Sequence, residues 1–266
     1  MYAERMAGRV VAQREGRIGW LVFDHPERRN AISDEMWRGI PPAVAALEAD
    51  PEVRVVVLRG AGEVAFVSGA DISEFERTRT GGAAAAEYEA RTDAAFRALS
   101  ECAKPVIALV HGFCVGGGLA IALTADLRYA ADDARFAIPA ARLGLGYGLG
   151  GVRTLVQLVG PSAAKEILYT ARRFGAEEAL RMGLVNAVHP KAELEARVRE
   201  TAETIAENAP LTLRAVKLAV REIGREALAP DPAPVEDAIR ACFESADYKE
   251  GVRAFLEKRS PRFGGR

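Results

Sequence analysis

The chain has 266 residues, of which 49% are hydrophobic and 27% charged, with a formal net charge of −1 at neutral pH. This composition excludes fibrous and disordered classes, and the near-zero charge gives no basic footprint for nucleic acid. The apolar runs are shorter than the ~20 residues that span a bilayer, the first residues hold no apolar signal core, and three scattered cysteines suggest reduced thiols. We therefore expect a cytoplasmic protein with no metal site, membrane segment or nucleic-acid partner.

The first part of the chain predicts a hairpin, a helix and a buried strand. Residues 9–23 alternate apolar and polar side chains around a short turn, as β-hairpins do. Ser33 can cap a helix over 34–49, although the pair Pro41-Pro42 should kink or interrupt it. The apolar run 53–58 predicts a strand that is buried on both faces.

Two segments lead from an apolar approach through a glycine turn into a helix start. Residues 66–71 read Phe-Val-Ser-Gly-Ala-Asp, and residues 111–118 read His-Gly-Phe-Cys-Val-Gly-Gly-Gly. A helix start presents free backbone N–H groups at the positive end of the helix dipole. Such groups bind anions, including negative charge that exists only in a transition state. Two of these donors that converge on one carbonyl would form an oxyanion hole.

The rest of the chain predicts further alternation of strands and helices, with helices alone from about residue 191. The repeated order of strand, glycine turn and helix suggests a ββα unit that recurs. The helical part either packs on a neighbouring subunit or on the chain's own core. The predicted segments are a helix over 84–101, strands over 104–110, 127–130 and 135–138, a glycine-rich loop over 143–151, and helices over 152–159, 162–170 and 176–182.

Four ordered motifs over nearly the whole chain resemble the enoyl-CoA hydratase/isomerase (crotonase) superfamily. The resemblance implies an α/β fold with a spiral of ββα turns as the acyl-CoA-binding core (1–195) and a C-terminal helical trimerisation region (196–266). It also implies homotrimers or dimers of trimers, and an acyl-CoA substrate with no further cofactor. The motifs are Pro26-(x)3-Asn30-Ala-Ile, Ser68-Gly-Ala-Asp-Ile72, Lys104-Pro-Val-Ile with His111-Gly and Gly116-Gly-Gly, and Ala176-(x)2-Ala179 with Gly183-Leu-Val.

The same resemblance implies which residues meet the substrate. The thioester oxygen would accept hydrogen bonds from the backbone amides of two residues, Ala70 and Gly117. Three charged side chains are candidates for the coenzyme A phosphates, with solvated surface charge as the alternative for each; they are Arg28, Arg29 and Lys258, the last acting across a subunit boundary. The remaining expected substrate-binding positions are Gly69, Ile72, Gly116, Ala120 and Ala140.

Two of these positions depart from the family's pattern. Hydration in this family resembles two-carboxylate chemistry, in which two glutamates hold a water molecule and exchange protons with the substrate. This chain has Ala120 and Ala140 at the corresponding positions. Neither alanine can transfer a proton, and a positioned acid–base group typically contributes about 10²–10⁴-fold. Ordinary water addition would need another group to substitute.

Tyr147, in the glycine-rich segment 142–150, resembles the methylmalonyl-CoA decarboxylase branch of the superfamily, as do segments 164–170, 247–251 and 255–263. Decarboxylation of a malonyl-type thioester needs an enolate stabiliser but no base, because carbon dioxide leaves instead of a proton. Tyr147 could orient the carboxylate or protonate the enolate; a packed ring with its hydroxyl bonded to backbone is the alternative. The leading hypothesis is decarboxylation, and the alternatives are an enoyl-CoA hydratase or isomerase and a non-catalytic acyl-CoA binder.

Overall fold

A computed structural model describes residues 8–74, 82–226, 240–241 and 243–262, and it confirms the α/β class. The predicted hairpin and the helix that Ser33 caps are both present. The strands are β1 Arg9–Glu15, β2 Ile18–Asp24, β3 Val55–Gly60, β4 Ala65–Val67, β5 Val106–Val110, β6 Phe113–Val115, β7 Leu127–Ala131, β8 Arg135–Ala137, β9 Phe174–Gly175 and β10 Ala187–His189. The helices are α1 Asp34–Ala49, α2 Gly82–Glu101, α3 Gly117–Thr124, α4 Ala140–Leu143, α5 Leu149–Thr170, α6 Ala176–Arg181, α7 Lys191–Glu207, α8 Pro210–Glu226 and α9 Ala246–Leu256.

The two prolines inside α1 do not interrupt it, so that part of the prediction is wrong. A proline in a helix interior costs about 3 kcal/mol, because it removes a backbone donor and clashes with the preceding turn. The opposing gain comes from the buried face of α1, on which Met36, Ile40 and Val44 pack into the main core. Burial of one such side chain contributes about 1.5–3 kcal/mol, so the face as a whole keeps the helix continuous.

The larger sheet has six strands in the order β1-β2-β3-β5-β7-β10, and all pairings after the hairpin are parallel. Its central strands, β3 and β5, are apolar on both faces because each face meets a separate hydrophobic cluster. Val56 and Leu58 face the main core with α1, whereas Val55 and Val57 face a second cluster with α7. This arrangement confirms the predicted doubly buried strand.

A second sheet, in the order β4-β6-β8-β9, was not predicted as such. Each of its strands has three residues or fewer, which is too short for a period-two pattern to show in the sequence. Long strands β3, β5 and β7 are each followed by a short strand of this sheet and then by a helical turn. The ββα unit therefore occurs three times, and the short strands carry the chain toward the glycine turns.

The predicted loop over 143–151 is wrong at its C-terminal end, because α5 already begins at Leu149. The glycines of this segment predicted a loop, but Gly150 and Gly151 lie in the first turn of α5, which the residues after them stabilise. Gly160, with φ of 75° before Pro161, breaks α5 at the predicted boundary between the helices 152–159 and 162–170. Gly183, with φ of 76°, follows the end of α6, as expected for a helix stop.

Helices alone follow β10 in the described part of the chain, and they differ in what they pack against. Helix α9 lies on the chain's own core, where a Cβ on Gly251 would come within 2.6 Å of the Leu143 backbone. Helix α8 is held by the Lys217 ammonium, which reaches the Lys104 carbonyl oxygen and the Asp126 carboxylate. Its large apolar side chains are mostly exposed, namely Leu211, Val216, Leu218, Val220 and Ile223.

Two expectations about the chain's chemistry can be compared with the described residues. Cys102 and Cys114 are free and buried, whereas Cys242 and the end of the tail motif at Phe263 lie outside the described residues. No helix in the described part of the chain is both long and apolar enough to cross a membrane.

Candidate active site

The first glycine turn leaves the Ala70 amide without a partner among the described residues. The Ile32 N–H donates to the Gly69 carbonyl at 2.8 Å, and the Asp71 N–H donates to the Ile32 carbonyl at 2.9 Å. This parallel bridge turns the N–H of the middle residue, Ala70, away from Ile32. No hydrogen bond within the described ranges uses that N–H, and Ala70 is partly exposed.

The second glycine turn does the same for Gly117. Gly116 adopts φ of 54° and donates its N–H to the Ala137 carbonyl at 2.8 Å. Gly117 is the first residue of α3, so its N–H has no partner inside the helix. Gly118 permits close packing, since a Cβ there would lie 2.0 Å from the Val67 carbonyl oxygen. Helix α3 therefore lies directly against β4, the strand that leads into the first turn.

These contacts bring the two free amides together. A Cβ built on Gly117 would lie 3.5 Å from the Ala70 nitrogen. Because a residue's own nitrogen and Cβ are about 2.5 Å apart, the two nitrogens are no more than ~6 Å apart. One oxygen that accepts both hydrogen bonds at ~2.9 Å can bridge nitrogens up to ~5.8 Å apart, which is close to this upper limit. The positive end of the α3 dipole adds to the same position, so the arrangement can stabilise an oxyanion.

The two alanine positions lie beside the second turn. Ala120 comes one turn into α3 and is partly exposed. Ala140 begins α4 and is 8% exposed, and the preceding Pro139 has its Cδ 3.8 Å from a Cβ built on Gly116. Both side chains end in a methyl group. Neither position supplies a proton donor, a proton acceptor or a negative charge to the site.

The Tyr147 hydroxyl is buried without a hydrogen-bond partner among the described residues. Its ring packs against the main core and against Gly151, where a Cβ would come within 2.8 Å of the ring. A hydroxyl bonded to backbone, the alternative that the sequence left open, is therefore not observed. Burial raises the pKa of Tyr147 to about 12, so the hydroxyl keeps its proton at neutral pH.

The remaining candidates divide by location. Gly69 is buried in the first turn, and Ile72 is partly exposed in the short 3-10 helix that follows it. Arg28 is exposed and also lies at this turn, where it donates to Asp71 at 2.9 Å and to the Ser73 hydroxyl at 3.0 Å. Lys258 is exposed beyond α9, and no contact between described residues joins its side chain to either turn. The described residues include no cluster of His, Cys, Asp and Glu that could hold a metal ion.

The sequence analysis missed Trp37. Its Cζ2 atom lies 3.5 Å from a Cβ built on Gly117, and its indole N–H donates to the Tyr88 hydroxyl at 3.0 Å. The available signal was a tryptophan on α1 next to the predicted apolar face, directly after the Asn30-Ala-Ile motif. Helical periodicity could place this ring in the core but could not show that it touches the second turn.

Comparisons with known proteins identify the family to which this chain is similar. The family model described as enoyl-CoA hydratase/isomerase matches residues 13–266. The short-chain-enoyl-CoA hydratase of Clostridium acetobutylicum is 37% identical, over 94% of this chain and 95% of that protein. The crotonyl-CoA hydratase of Syntrophomonas wolfei is 38% identical, over 96% of this chain and 97% of that protein. A solved structure of methylmalonyl-CoA decarboxylase in complex with 2-nitronate-propionyl-CoA superposes with a TM-score of 0.89 at 30% identity, covering 97% of this chain and 99% of that one.

Proposed function

Since the chain belongs to the enoyl-CoA hydratase/isomerase family of acyl-CoA enzymes, we propose that it stabilises a thioester enolate between the backbone amides of Ala70 and Gly117. The observation that carries this proposal is the proximity of two backbone amides that no other described group uses. Coenzyme A is part of the substrate, and the chemistry requires no metal or further cofactor.

The two amides act on charge that develops during the reaction. The thioester oxygen accepts both N–H groups, and electron density moves onto that oxygen when the enolate forms. Each hydrogen bond stabilises the oxygen most when the negative charge is on it, and loss of one such donor typically lowers kcat by about 10²–10³-fold. The donors are backbone groups held by a strand bridge and a helix start, so they need no rearrangement when the charge appears.

Hydration of a short-chain enoyl-CoA is the first candidate reaction, because the two hydratase relatives favour it over the decarboxylation that the sequence favoured. Water adds through its oxygen to the β-carbon, the resulting enolate takes a proton at the α-carbon, and the proton that the added oxygen gives up returns to the group that donated to the α-carbon. Ala120 and Ala140 cannot move these protons. The Tyr147 hydroxyl, which its raised pKa keeps protonated, would have to serve as the donor.

Decarboxylation of a malonyl-type thioester is the second candidate, and the side chains favour it. The bond to the carboxylate carbon breaks, carbon dioxide leaves, and the bonding pair remains on the α-carbon as the enolate, which then takes a proton. Methyl groups at positions 120 and 140 do not repel the substrate carboxylate. The unpartnered Tyr147 hydroxyl is available to orient that carboxylate or to donate the proton.

Two substrates offered separately test the proposal and distinguish the reactions. Crotonyl-CoA reports hydration through loss of its conjugated enoyl thioester absorbance, and methylmalonyl-CoA reports decarboxylation through release of carbon dioxide. Turnover of either supports an enolate held by the two amides and assigns the reaction. Tight binding of both thioesters without turnover across a wider panel would overturn the proposal and favour a non-catalytic acyl-CoA binder.

The exposed apolar side chains of α8 support an oligomer, and the homotrimer or dimer of trimers that the family resemblance implies is the state we expect. Solvent exposure of Val216, Val220 and Ile223 is unfavourable by about 25 cal/mol per Å² of apolar surface. Light scattering during size-exclusion chromatography should give a mass of three or six chains. The Val220→Glu variant should shift that mass toward one chain, and a wild-type monomer would contradict the expectation.

A further inference from the structure

Trp37 occupies the space beside the second amide of the oxyanion hole. Its Cζ2 atom and the Ala70 nitrogen are both 3.5 Å from the point where a Gly117 Cβ would stand. Both atoms therefore border the space beside Gly117 that a methyl group would fill. The ring is 2% exposed, so it belongs to the packed interior and is not a surface that substrate displaces.

Contacts from α2 hold the indole in place. Its N–H donates to the Tyr88 hydroxyl at 3.0 Å, and its ring meets Phe96 edge-on with centroids 5.3 Å apart. One helical turn earlier on α1, the Asp34 carboxylate pairs with the Arg91 guanidinium at 2.8 Å. The Trp37–Tyr88 hydrogen bond and the Asp34–Arg91 ion pair both join α1 to α2, so together they limit movement of the indole ring.

We infer that Trp37 is a positioning residue for the oxyanion hole, held by Tyr88 so that the Ala70 and Gly117 amides keep the spacing that one oxygen can bridge. This inference rests on the proposed function. The reasoning is steric. Gly117 has no side chain to set its distance from the first turn, and the indole edge borders the space that such a side chain would occupy. A misplacement of about 1 Å at a reacting group can cost roughly 10²-fold in rate, so the Trp37 ring should affect kcat more than substrate binding.

The test uses conservative variants and a matched control. Trp37→Phe keeps an aromatic ring but removes the indole donor and Cζ2, the atom that borders the space beside Gly117; Tyr88→Phe removes only the hydroxyl. Trp20→Phe is the control, because Trp20 is the other tryptophan of the chain, is 1% exposed, and lies in the second hydrophobic cluster away from the hole. Each variant is assayed with the thioester that the wild type consumes, crotonyl-CoA or methylmalonyl-CoA, and its thermal unfolding is recorded.

The inference predicts a split that a purely structural role would not give. Trp37→Phe should lower kcat by about 10-fold or more and Tyr88→Phe by several-fold, with KM changed less than about 3-fold. Trp20→Phe should leave both constants near wild type even where it lowers the unfolding temperature equally. Unchanged kcat in Trp37→Phe would overturn the inference while leaving the proposed function intact.

Fluorescence provides a readout independent of turnover. In Trp20→Phe the remaining tryptophan is Trp37. Addition of butyryl-CoA should change its emission, because the bound thioester carbonyl would lie against the Gly117 amide, which is close to the ring. Saturable binding of butyryl-CoA, measured by calorimetry, with no change in that emission would overturn the inference alone. Failure of the wild type to bind butyryl-CoA would overturn the proposed function together with it.

Discussion

Proline at position 117 removes one donor of the proposed oxyanion hole, but Gly116 before it has φ of 54° and ψ of −115° instead of the extended backbone that a proline favours, so the unfolding temperature of the variant is measured beside its kcat. Gly117 is the first residue of α3, where proline is favoured, since the N–H at that position has no helical partner. The variant loses one amide, whereas the Ala70 amide remains. Loss of one oxyanion donor costs about 2.7–4 kcal/mol of transition-state stabilisation, so kcat should fall by about 10²–10³-fold.

The assay compares Gly117→Pro with a proline at the start of another helix. Ala246 is the exposed first residue of α9, and Ser245 before it has the extended backbone that a following proline requires. Ala246→Pro should keep wild-type kcat and unfolding temperature. Gly117→Ala is a second control, because it adds the Cβ that proline also carries, at a contact distance of 3.5 Å from the Ala70 nitrogen, but keeps the N–H; its kcat should fall far less than that of Gly117→Pro. A folded Gly117→Pro enzyme with kcat within about threefold of wild type would refute the assignment of this amide.

Three further results are expected, two of them on stability. Tyr147→Phe should lower turnover with retained acyl-CoA binding. It should also raise the free energy of unfolding by about 1–3 kcal/mol, because it deletes a buried hydroxyl that has no described partner. Steady-state kinetics and denaturant titration measure the two changes, and unchanged kinetics would make the ring a packing residue. Burial raises the pKa of Tyr147 from 10.0 to about 12, so its contribution to stability is complete below pH 10 and declines by about 2–3 kcal/mol up to pH 12, a decline that should be smaller in Tyr147→Phe. Burial lowers the pKa of His111 below its usual 6.5, so stability present above that pH should fall on acidification; a His111→Gln variant with an equally steep acid transition would exclude His111 as the cause.

Local signals in the sequence predicted the two glycine turns that carry the proposed oxyanion hole. Glycine turns between an apolar strand and a helix start are recognisable because backbone geometry and hydrogen bonding are decided within a few residues. The Gly116 turn with its positive φ, and the free N–H of Gly117 at the start of α3, follow from those local rules. That Ala70 lies close enough to share one oxygen depends on Gly118 packing against Val67, and the resemblance, not the pattern, supplied that pairing.

Features that depend on tertiary packing could not be predicted. The strands of the second sheet are too short to show alternation, and Pro41 and Pro42 are tolerated because the buried face of α1 outweighs their local cost. The proximity of Trp37 to Gly117 brings together residues 80 positions apart, and no period in the sequence indicates it. Likewise, the lack of a described partner for the Tyr147 hydroxyl is a property of its surroundings.

The most direct measurement is the infrared carbonyl stretch of butyryl-CoA labelled with ¹³C at the thioester carbon and bound to the protein. Two amide donors at the positive end of α3 should polarise that carbonyl and lower its frequency relative to the same thioester in water, and Gly117→Pro should reverse part of the shift. A fully bound ligand whose carbonyl absorbs at the frequency of the free thioester would contradict an oxyanion hole formed by Ala70 and Gly117.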